Sequence, residues 1–504
     1  MHWKNSLKQY TPLVFLLLCI STLIFGGILR GHNLGEQSLW IDEGYSINAA
    51  QAVIDHGYPT LDSGEPYRGH ILSTYIIAGS MQLFGFDPYN PWSARLPAAI
   101  FGILGILMTY IFTLHLFNNK WLALASAMFV AFLPWEVAWS RQARGYTMMQ
   151  FFILFSFDQL LLFSRTQKIK HSVLSTLGLV AGYLGQGIAV VFFPAFFFSL
   201  AVSAWVKKQS LLAKSWWPFW LMIVAGTLYI LPSFANITSG GYLGLYTNFV
   251  FHEYSIFVIL ALLGVLGMLF YEKEPDKGTI ISTTIIFTFL VIAIFGSVFQ
   301  PRYLIALMPF IGIGAVYGVY LVCKASITIF EKKIPRWITC NTYSISSSVF
   351  IIIMITLGQF HILPQSHYSL EIGSPQPNFK DAYTYITNHK NTDDVIISPY
   401  AHLTKIYTGE TGILLPISLT GRTNRENYKV TQDNKDYYTG AEILNGVPAT
   451  LNMIENSHGY VILDSMARNR IGKLFTSITN HPKVTQVHES DSAKLSDHVW
   501  IYEF

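Results

Sequence analysis

The sequence predicts a mostly α-helical membrane protein: a polytopic bundle of about eleven spanning helices over residues 1–363 and a small α/β domain over 364–504. Three observations lead there. Of the 504 residues, 52% are hydrophobic and 12% are charged, whereas a soluble chain carries roughly 25% charged residues, so the charges are too few to coat a water-facing surface. Apolar runs of spanning length recur through the first two thirds of the chain, and the aromatic content of 15% suits many membrane–water boundaries. The charges are also divided: residues 1–363 hold 14 carboxylates and 21 Lys and Arg (21 − 14 = +7), and residues 364–504 hold 15 and 12 (12 − 15 = −3). The overall +4 is therefore no signature of nucleic-acid binding, because the positive excess belongs to the membrane part.

A spanning helix needs about 20 mostly apolar residues. Segments 11–29, 92–117, 121–139, 145–164, 172–187, 188–206, 216–232, 254–270, 279–298, 303–323 and 341–362 qualify. The first follows Lys4 and Lys8 as a signal peptide would, yet no small-x-small cleavage site precedes Arg30, and it reads as a retained anchor. A further candidate, 71–86, is short and carries Ser73, Thr74, Ser80 and Gln82. The positive-inside rule decides its place. If 71–86 does not span and the N-terminus is cytoplasmic, the inner loops collect 15 basic residues and the outer loops six; a spanning 71–86 reverses the tally. Residues 30–91 then form a first extracytoplasmic loop, with a short surface helix around Ala49–Ile54 and 71–86 as a second interfacial helix. Residues 364–504 lie outside the cytoplasm. Cys19, Cys323 and Cys340 encode neither a disulfide framework nor a zinc site.

All six outer basic residues are arginines: Arg30, Arg68, Arg95, Arg141, Arg144 and Arg302. Arginine offers a rigid fork of donors that matches phosphate oxygens. The plainer alternative, preferred for Arg30 and Arg95, is pairing with loop carboxylates or lipid headgroups. In the first outer loop, Asp42 and Glu43 follow the apolar triplet Leu39-Trp40-Ile41. A carboxylate against apolar surface can act as a base near neutral pH, and adjacent carboxylates can coordinate a divalent cation. An isolated Asp-Glu pair is more often a solvated acidic dipeptide.

Context changes that reading. The string SLWIDEGYS after the first membrane helix resembles the signature of C-type (GT-C) glycosyltransferases that use polyprenyl-phosphate sugars. That group includes the protein O-mannosyltransferases, the lipid A aminoarabinose transferases and their bacterial family 39 relatives. SARLPAAIFGILGI at 93–106, SRQARGYTMM at 140–149 and QPRYLIALMPF at 300–310 match further family strings in order, so the resemblance spans roughly residues 10–365. It implies the GT-C fold in a bacterial plasma (inner) membrane, with the active site outside the cytoplasm. It also implies a polyprenyl-phosphate-linked sugar donor and an extracytoplasmic acceptor that is a protein, lipid or glycan.

By the same resemblance, Asp42 is the general base that takes a proton from the acceptor nucleophile. Glu43 orients Asp42 or the acceptor, or binds a divalent metal in relatives that use one. Arg141, Arg144 and Arg302 hold the donor phosphate, where negative charge grows as the carrier departs, and Tyr303 and Tyr146 assist by hydrogen bonding. Arg68 and His70 stand where relatives carry other residues, in PYRGH, and bear on acceptor or donor recognition. His252-Glu253, in an expected outer loop at 233–253, is a further contact candidate, although such a pair is more often structural. Gly240-Gly241 marks flexibility in that loop.

In the C-terminal part, Phe379, Tyr383 and Ile386 have helical spacing, and DDVIIS, GYVILDS and VWIYEF read as strands. Asp464 and His402 read as ordinary domain residues. A transporter or flippase of lipid-linked sugars is the alternative class. Transporters carry internal repeats and ionisable or broken helices at mid-membrane depth; this sequence has no evident repeat and gathers its candidate residues at one face.

Overall fold

A computed structural model describes residues 2–68, 70–234, 241–271, 275–296, 299–330, 349, 377–416, 430–444, 446–491 and 498–504. The expected span 341–362, apart from Val349, and the expected domain boundary at 363/364 lie outside the described residues, as does Gly240. The chain divides into two compact units. One comprises the chain up to His32, Ala98–Ser140 and the stretch from Gly145 through the last apolar helices; the other comprises Asn33–Pro97, Arg141–Arg144 and the described part of Gln365–Phe504.

In chain order the helices are α1 (His2–Gly31), α2 (Ile41–His56), α3 (Ile71–Phe84), α4 (Trp92–Phe117), α5 (Lys120–Phe132), α6 (Pro134–Trp139), α7 (Tyr146–Thr166), α8 (Ile169–Gly185), α9 (Phe193–Val206), α10 (Trp217–Phe234), α11 (Leu243–Tyr271), α12 (Pro275–Phe295) and α13 (Met308–Phe330). Seven described segments are long and apolar enough to cross a membrane, from Pro12–Gly31 to Pro301–Ala325. The protein is an integral membrane protein. Helices suit the bilayer because every backbone polar group is satisfied within the segment.

Several expected segments are subdivided. Residues 121–139 break at Leu133-Pro134 into α5 and α6, because proline removes an amide donor and clashes with the preceding turn. Short 3₁₀ turns at Gly187–Phe192 and Pro301–Leu307 open the segments that continue as α9 and α13. Residues 243–253, expected as loop, are helical, and α11 kinks at Tyr254 (φ −130°, ψ 23°). Helix α3 has 14 residues, about 21 Å of helix against a hydrocarbon core of roughly 30 Å, too short to cross.

Within the membrane unit, α11 and α13 meet through glycines. A Cβ on Gly264 would overlap the Gly314 carbonyl, and one on Gly318 would overlap the Leu260 carbonyl. Small residues spaced four apart let helix backbones approach where lipid gives no hydrophobic drive to associate. Arg30, fully buried at the end of α1, donates to the carbonyls of Gly26 (3.0 Å), Ala131 (2.9 Å) and Val130 (2.9 Å) and to Ser140 Oγ (3.1 Å). Through Val130 and Ala131 it satisfies carbonyls that the Pro134 break leaves without helical partners. Gln150 Nε2 bridges Glu136 Oε1 (2.7 Å) and the Ile305 carbonyl (3.1 Å), fixing α7 to α6 and to the 301–307 turn.

The second unit is built on a five-stranded sheet, β1 (Val395–Ser398), β2 (Ile413–Leu414), β3 (Gly459–Asp464), β4 (Thr485–Glu489) and β5 (Val499–Glu503), in the order β2-β1-β3-β5-β4. β1 pairs in parallel with β2 and β3; β5 runs antiparallel to β3 and β4. The remaining helices are α14 (Phe379–His389), α15 (Ala401–Thr408), α16 (Gly446–Asn456), α17 (Ser465–Arg470) and α18 (Gly472–Thr479). Side chains alternate across the sheet as strand geometry requires. Ile397, Val461, Leu463, Trp500 and Tyr502 pack with α16–α18. Ile396, Tyr460, Ile462, Val499 and Ile501 face the other way, into a core shared by α14, α15 and the first-loop helices through Leu39, Ile47, Ala50, Ile77, Ala78 and Met81. The segment Asn33–Pro97 and the α/β domain therefore bury one hydrophobic core in common.

Candidate active site

The Asp42-Glu43 pair lies inside a helix, because α2 begins at Ile41, earlier than the expected Ala49–Ile54. Both carboxylates fall in its first turn, where unpaired backbone amides favour acidic residues. Glu43 closes half of a capping box, its Oε2 accepting the Trp40 amide at 2.9 Å. The same carboxylate receives Arg95 Nε on Oε1 and Nη2 on Oε2, each at 2.8 Å, and the Ala143 amide on Oε1 at 2.7 Å. Four donors thus surround a carboxylate with no exposed surface. Arg95 is as fully buried and also donates to the carbonyls of Leu34, Gln37 and Ser38. Arg95 pairs with a loop carboxylate, as expected. Glu43 is the keystone that joins α2, the start of α4 and the 141–144 segment.

Asp42 differs in environment: it is half-buried. Its carbonyl accepts Arg144 Nη1 at 3.0 Å, and that nitrogen also meets Ser46 Oγ (2.9 Å) and Tyr67 Oη (3.2 Å). Arg144 and Arg141 are buried, and Arg141 Nη2 donates to the Asn33 carbonyl at 3.1 Å. Arg68 is exposed, and His70 caps α3, its carbonyl accepting from Thr74 and Ser73. The aromatic hydroxyl that reaches Arg144 belongs to Tyr67, a residue of PYRGH that the sequence reading passed over.

The α/β domain reaches the same turn. His402, fully buried in α15, donates Nε2–H to the Ile41 carbonyl at 2.9 Å and stacks on Tyr45 with ring centroids 3.9 Å apart. Burial pushes the His402 imidazolium down to about 4, so the ring is neutral at physiological pH. Lys405 Nζ and Asn48 Nδ2 both meet Asp62, at 2.7 and 2.5 Å. Tyr407 Oη accepts the Leu39 amide at 3.2 Å, and burial raises that phenol to about 12.

The membrane unit carries the other candidates. Arg302 and Tyr303 are half-buried on the Pro301–Leu307 turn, with the guanidinium carbon 6.0 Å from the Tyr303 ring centroid. Tyr146 is fully buried with its ring edge-to-face on Trp139, a core position. His252 Nδ1 lies 2.9 Å from Glu253 Oε1, just before the α11 kink. Among the described residues no three His, Cys, Asp or Glu side chains gather as a metal-ligand set. Glu43, with both oxygens engaged by protein donors, does not fit a metal ligand.

Comparison with solved structures places this arrangement. ArnT from Cupriavidus metallidurans in the apo state superimposes with a TM-score of 0.60 at 12% identity, covering 98% of each chain. The chain has the GT-C glycosyltransferase fold. ArnT bound to undecaprenyl phosphate matches this chain with a TM-score of 0.54 at 12% identity over 97% of both. The archaeal oligosaccharyltransferase AglB from Archaeoglobus fulgidus, in complex with an inhibitory peptide and a dolichol-phosphate, matches with a TM-score of 0.56 at 12% identity, covering 94% of this chain and 72% of AglB. A family model described as dolichyl-phosphate-mannose-protein mannosyltransferase matches residues 68–235. That segment begins after Asp42-Glu43 and includes Arg95, Arg141 and Arg144. No curated protein matches in sequence. The resemblance carried by SLWIDEGYS and the strings after it is borne out at the level of the GT-C fold.

Proposed function

We propose that this protein is a glycosyltransferase that moves a sugar from a polyprenyl-phosphate carrier to an acceptor on the extracytoplasmic side of the membrane, with Asp42 as general base. The observation that carries the reading is the division of labour between two adjacent carboxylates. Glu43 is buried and engaged by four donors, whereas Asp42, next to it, is half-buried on a turn held from several sides. A base needs a rigid mount and access to its proton. The mannosyltransferase family model at 68–235, and the polyprenyl phosphates named in the solved ArnT and AglB complexes, support the donor class.

In this mechanism the Asp42 carboxylate takes the proton of the acceptor nucleophile as that atom bonds to the anomeric carbon. The bond from the anomeric carbon to the phosphate oxygen breaks, and polyprenyl phosphate leaves with the electron pair, usually with inversion. The leaving phosphate gains negative charge, which prepositioned arginines stabilise. Arg141 and Arg144 are proposed for this in the unit that holds Asp42. Arg302 and Tyr303 belong to the membrane unit, and their part in donor binding is tested separately.

The test incubates the purified chain with labelled undecaprenyl-phosphate and dolichyl-phosphate hexoses and a panel of acceptors: hydroxyl-bearing peptide, lipid A, other glycolipids and polysaccharide. Transfer to one acceptor is expected, and Asp42→Asn is expected to abolish it while leaving donor binding intact. Undiminished transfer by Asp42→Asn overturns the assignment of the base.

A further inference from the structure

In open α/β sheets, the carboxyl ends of strands where the strand order reverses form a crevice suited to ligands. In this sheet the order β2-β1-β3 reverses at β1, and the carboxyl ends of β1 and β3 lead into Tyr400, His402 and Asp464. Tyr400 Oη donates to Asp464 Oδ2 at 3.0 Å, and Asp464 caps α17 by accepting the Ala467 amide at 2.8 Å. Two residues beyond Tyr400, His402 meets another part of the same chain: the first turn of α2.

Contacts from α15 fall on three residues of that turn and bracket Asp42. The Ile41 carbonyl accepts His402 Nε2–H at 2.9 Å. A Cβ on Gly44 would lie 2.5 Å from His402 Cδ2 and 2.9 Å from Leu403 Cδ2, so residue 44 must lack a side chain for α15 to lie this close. The Tyr45 ring stacks on the imidazole, with ring centroids 3.9 Å apart and planes at 23°. Glu43 is gripped by Arg95 and Ala143, and the Asp42 carbonyl by Arg144. Those grips fall on Glu43 and the Asp42 carbonyl, whereas the α15 contacts fall on Ile41, Gly44 and Tyr45, the last of which also packs on Tyr438 with ring centroids 5.6 Å apart.

We propose that His402 is a positioning residue: it fixes the height and rotation of the first turn of α2, and through that turn the Asp42 carboxylate, so that the α/β domain supplies part of the catalytic geometry. The proposal rests on the reading of Asp42 as the base. It predicts that the imidazole acts as a neutral hydrogen-bond donor of fixed reach rather than as a proton carrier.

The experiment compares His402→Gln, which keeps an N–H donor, with His402→Leu, which keeps bulk without one, and with Gly44→Ala, which presses on the same ring from α2. Each is made in the full-length chain. Transfer is measured from labelled undecaprenyl-phosphate hexose to the acceptor that the wild type uses, and amide exchange is followed over residues 41–46. His402→Leu is expected to lower kcat about tenfold or more with KM for the donor within about twofold, from loss of a buried hydrogen bond, and to speed exchange in the turn. His402→Gln should recover most of kcat, and Gly44→Ala should resemble His402→Leu. If His402→Leu does not fold, the Gly44→Ala kinetics decide in its place. Wild-type kcat in His402→Leu, or in Gly44→Ala should that variant stand in, overturns the positioning role while leaving the base intact; equal losses in His402→Gln and His402→Leu also overturn it. Transfer by Asp42→Asn, run alongside, overturns the underlying reading instead.

Discussion

Glu43 and Arg95 form a two-pronged ion pair with no exposed surface, the Nε and Nη2 nitrogens each 2.8 Å from a carboxylate oxygen. Taking two charges out of water is costly, and the pair repays that only because every remaining donor and acceptor is also matched. Removing one partner leaves an uncompensated buried charge, a loss of about 3–5 kcal/mol. Glu43→Ala and Arg95→Ala are therefore expected to unfold well below the wild type in detergent melts. Asp42→Asn, altering a half-buried group beside them, should shift stability by only about 0.5 kcal/mol. This contrast separates the structural carboxylate from the proposed catalytic one, and comparable destabilisation by all three variants would refute it.

Arg144 ties the Asp42 carbonyl to Ser46 and Tyr67 through one guanidinium nitrogen. A lysine also offers a single charged nitrogen, but on a shorter, flexible stem without the rigid planar guanidinium that fixes its position, and without the further donors proposed for the phosphate. Arg144→Lys is expected to lower transfer at least tenfold. Tyr67→Phe deletes one hydrogen bond to a charged group, worth about 1.5–3 kcal/mol, and should reduce kcat more than donor KM. Steady-state kinetics of the two variants check this, and a Tyr67→Phe enzyme with normal kcat removes Tyr67 from the site.

The parts of this architecture that were legible in the sequence are those set by local periodicity and length. Helix α4 occupies Trp92–Phe117, the expected span, because apolar length alone dictates it. Helix α14, β1, β3 and β5 also follow their hydrophobic patterns. What was hidden depends on distant partners. Glu43 meets Arg95 across 52 positions, the Ala143 amide across 100, and His402 meets Ile41 across 361. A backbone amide such as that of Ala143 has no side-chain signature at all. The 243–253 helix was missed because Thr247, Asn248, His252 and Glu253 dilute its apolar pattern. His402 reads as an ordinary domain residue in the sequence, because only the folded chain brings it to α2.

Arg302 is half-buried on the turn that opens α13, beside Tyr303. If it holds the donor phosphate, the contribution is a charge-assisted bond that appears in binding before any chemistry. Arg302→Ala is expected to weaken binding of a labelled polyprenyl-phosphate hexose by about tenfold or more, with Arg302→Lys intermediate. Filter binding or equilibrium dialysis on the purified chain measures this, and unaltered affinity places the phosphate clamp elsewhere.

Asp464 and His402 give the second unit opposing responses to acid. Burial raises Asp464 to about 6 from 3.8, offset in part by the Ala467 amide, the Tyr400 hydroxyl and Arg470. The folded state then binds a proton that the unfolded state has lost, so this group's contribution is fully present below pH 3.8 and declines as pH rises through 6. Burial lowers His402 to about 4 from 6.5, opposed by its bond to Ile41 and by the Asp42 charge. Its contribution is fully present above pH 6.5 and is lost as pH falls towards 4. Between about pH 4 and 6 the two slopes largely cancel. Asp464→Asn leaves the His402 slope alone, so its melting temperature is expected to fall more steeply than that of the wild type as pH drops from 6.5 to 4.5. His402→Gln leaves only the Asp464 slope, so over the same interval its melting temperature should rise relative to the wild type. Melts of the full-length chain across that range read both signs at once. Parallel pH profiles in all three proteins would exclude these two residues as the source of acid sensitivity in this unit.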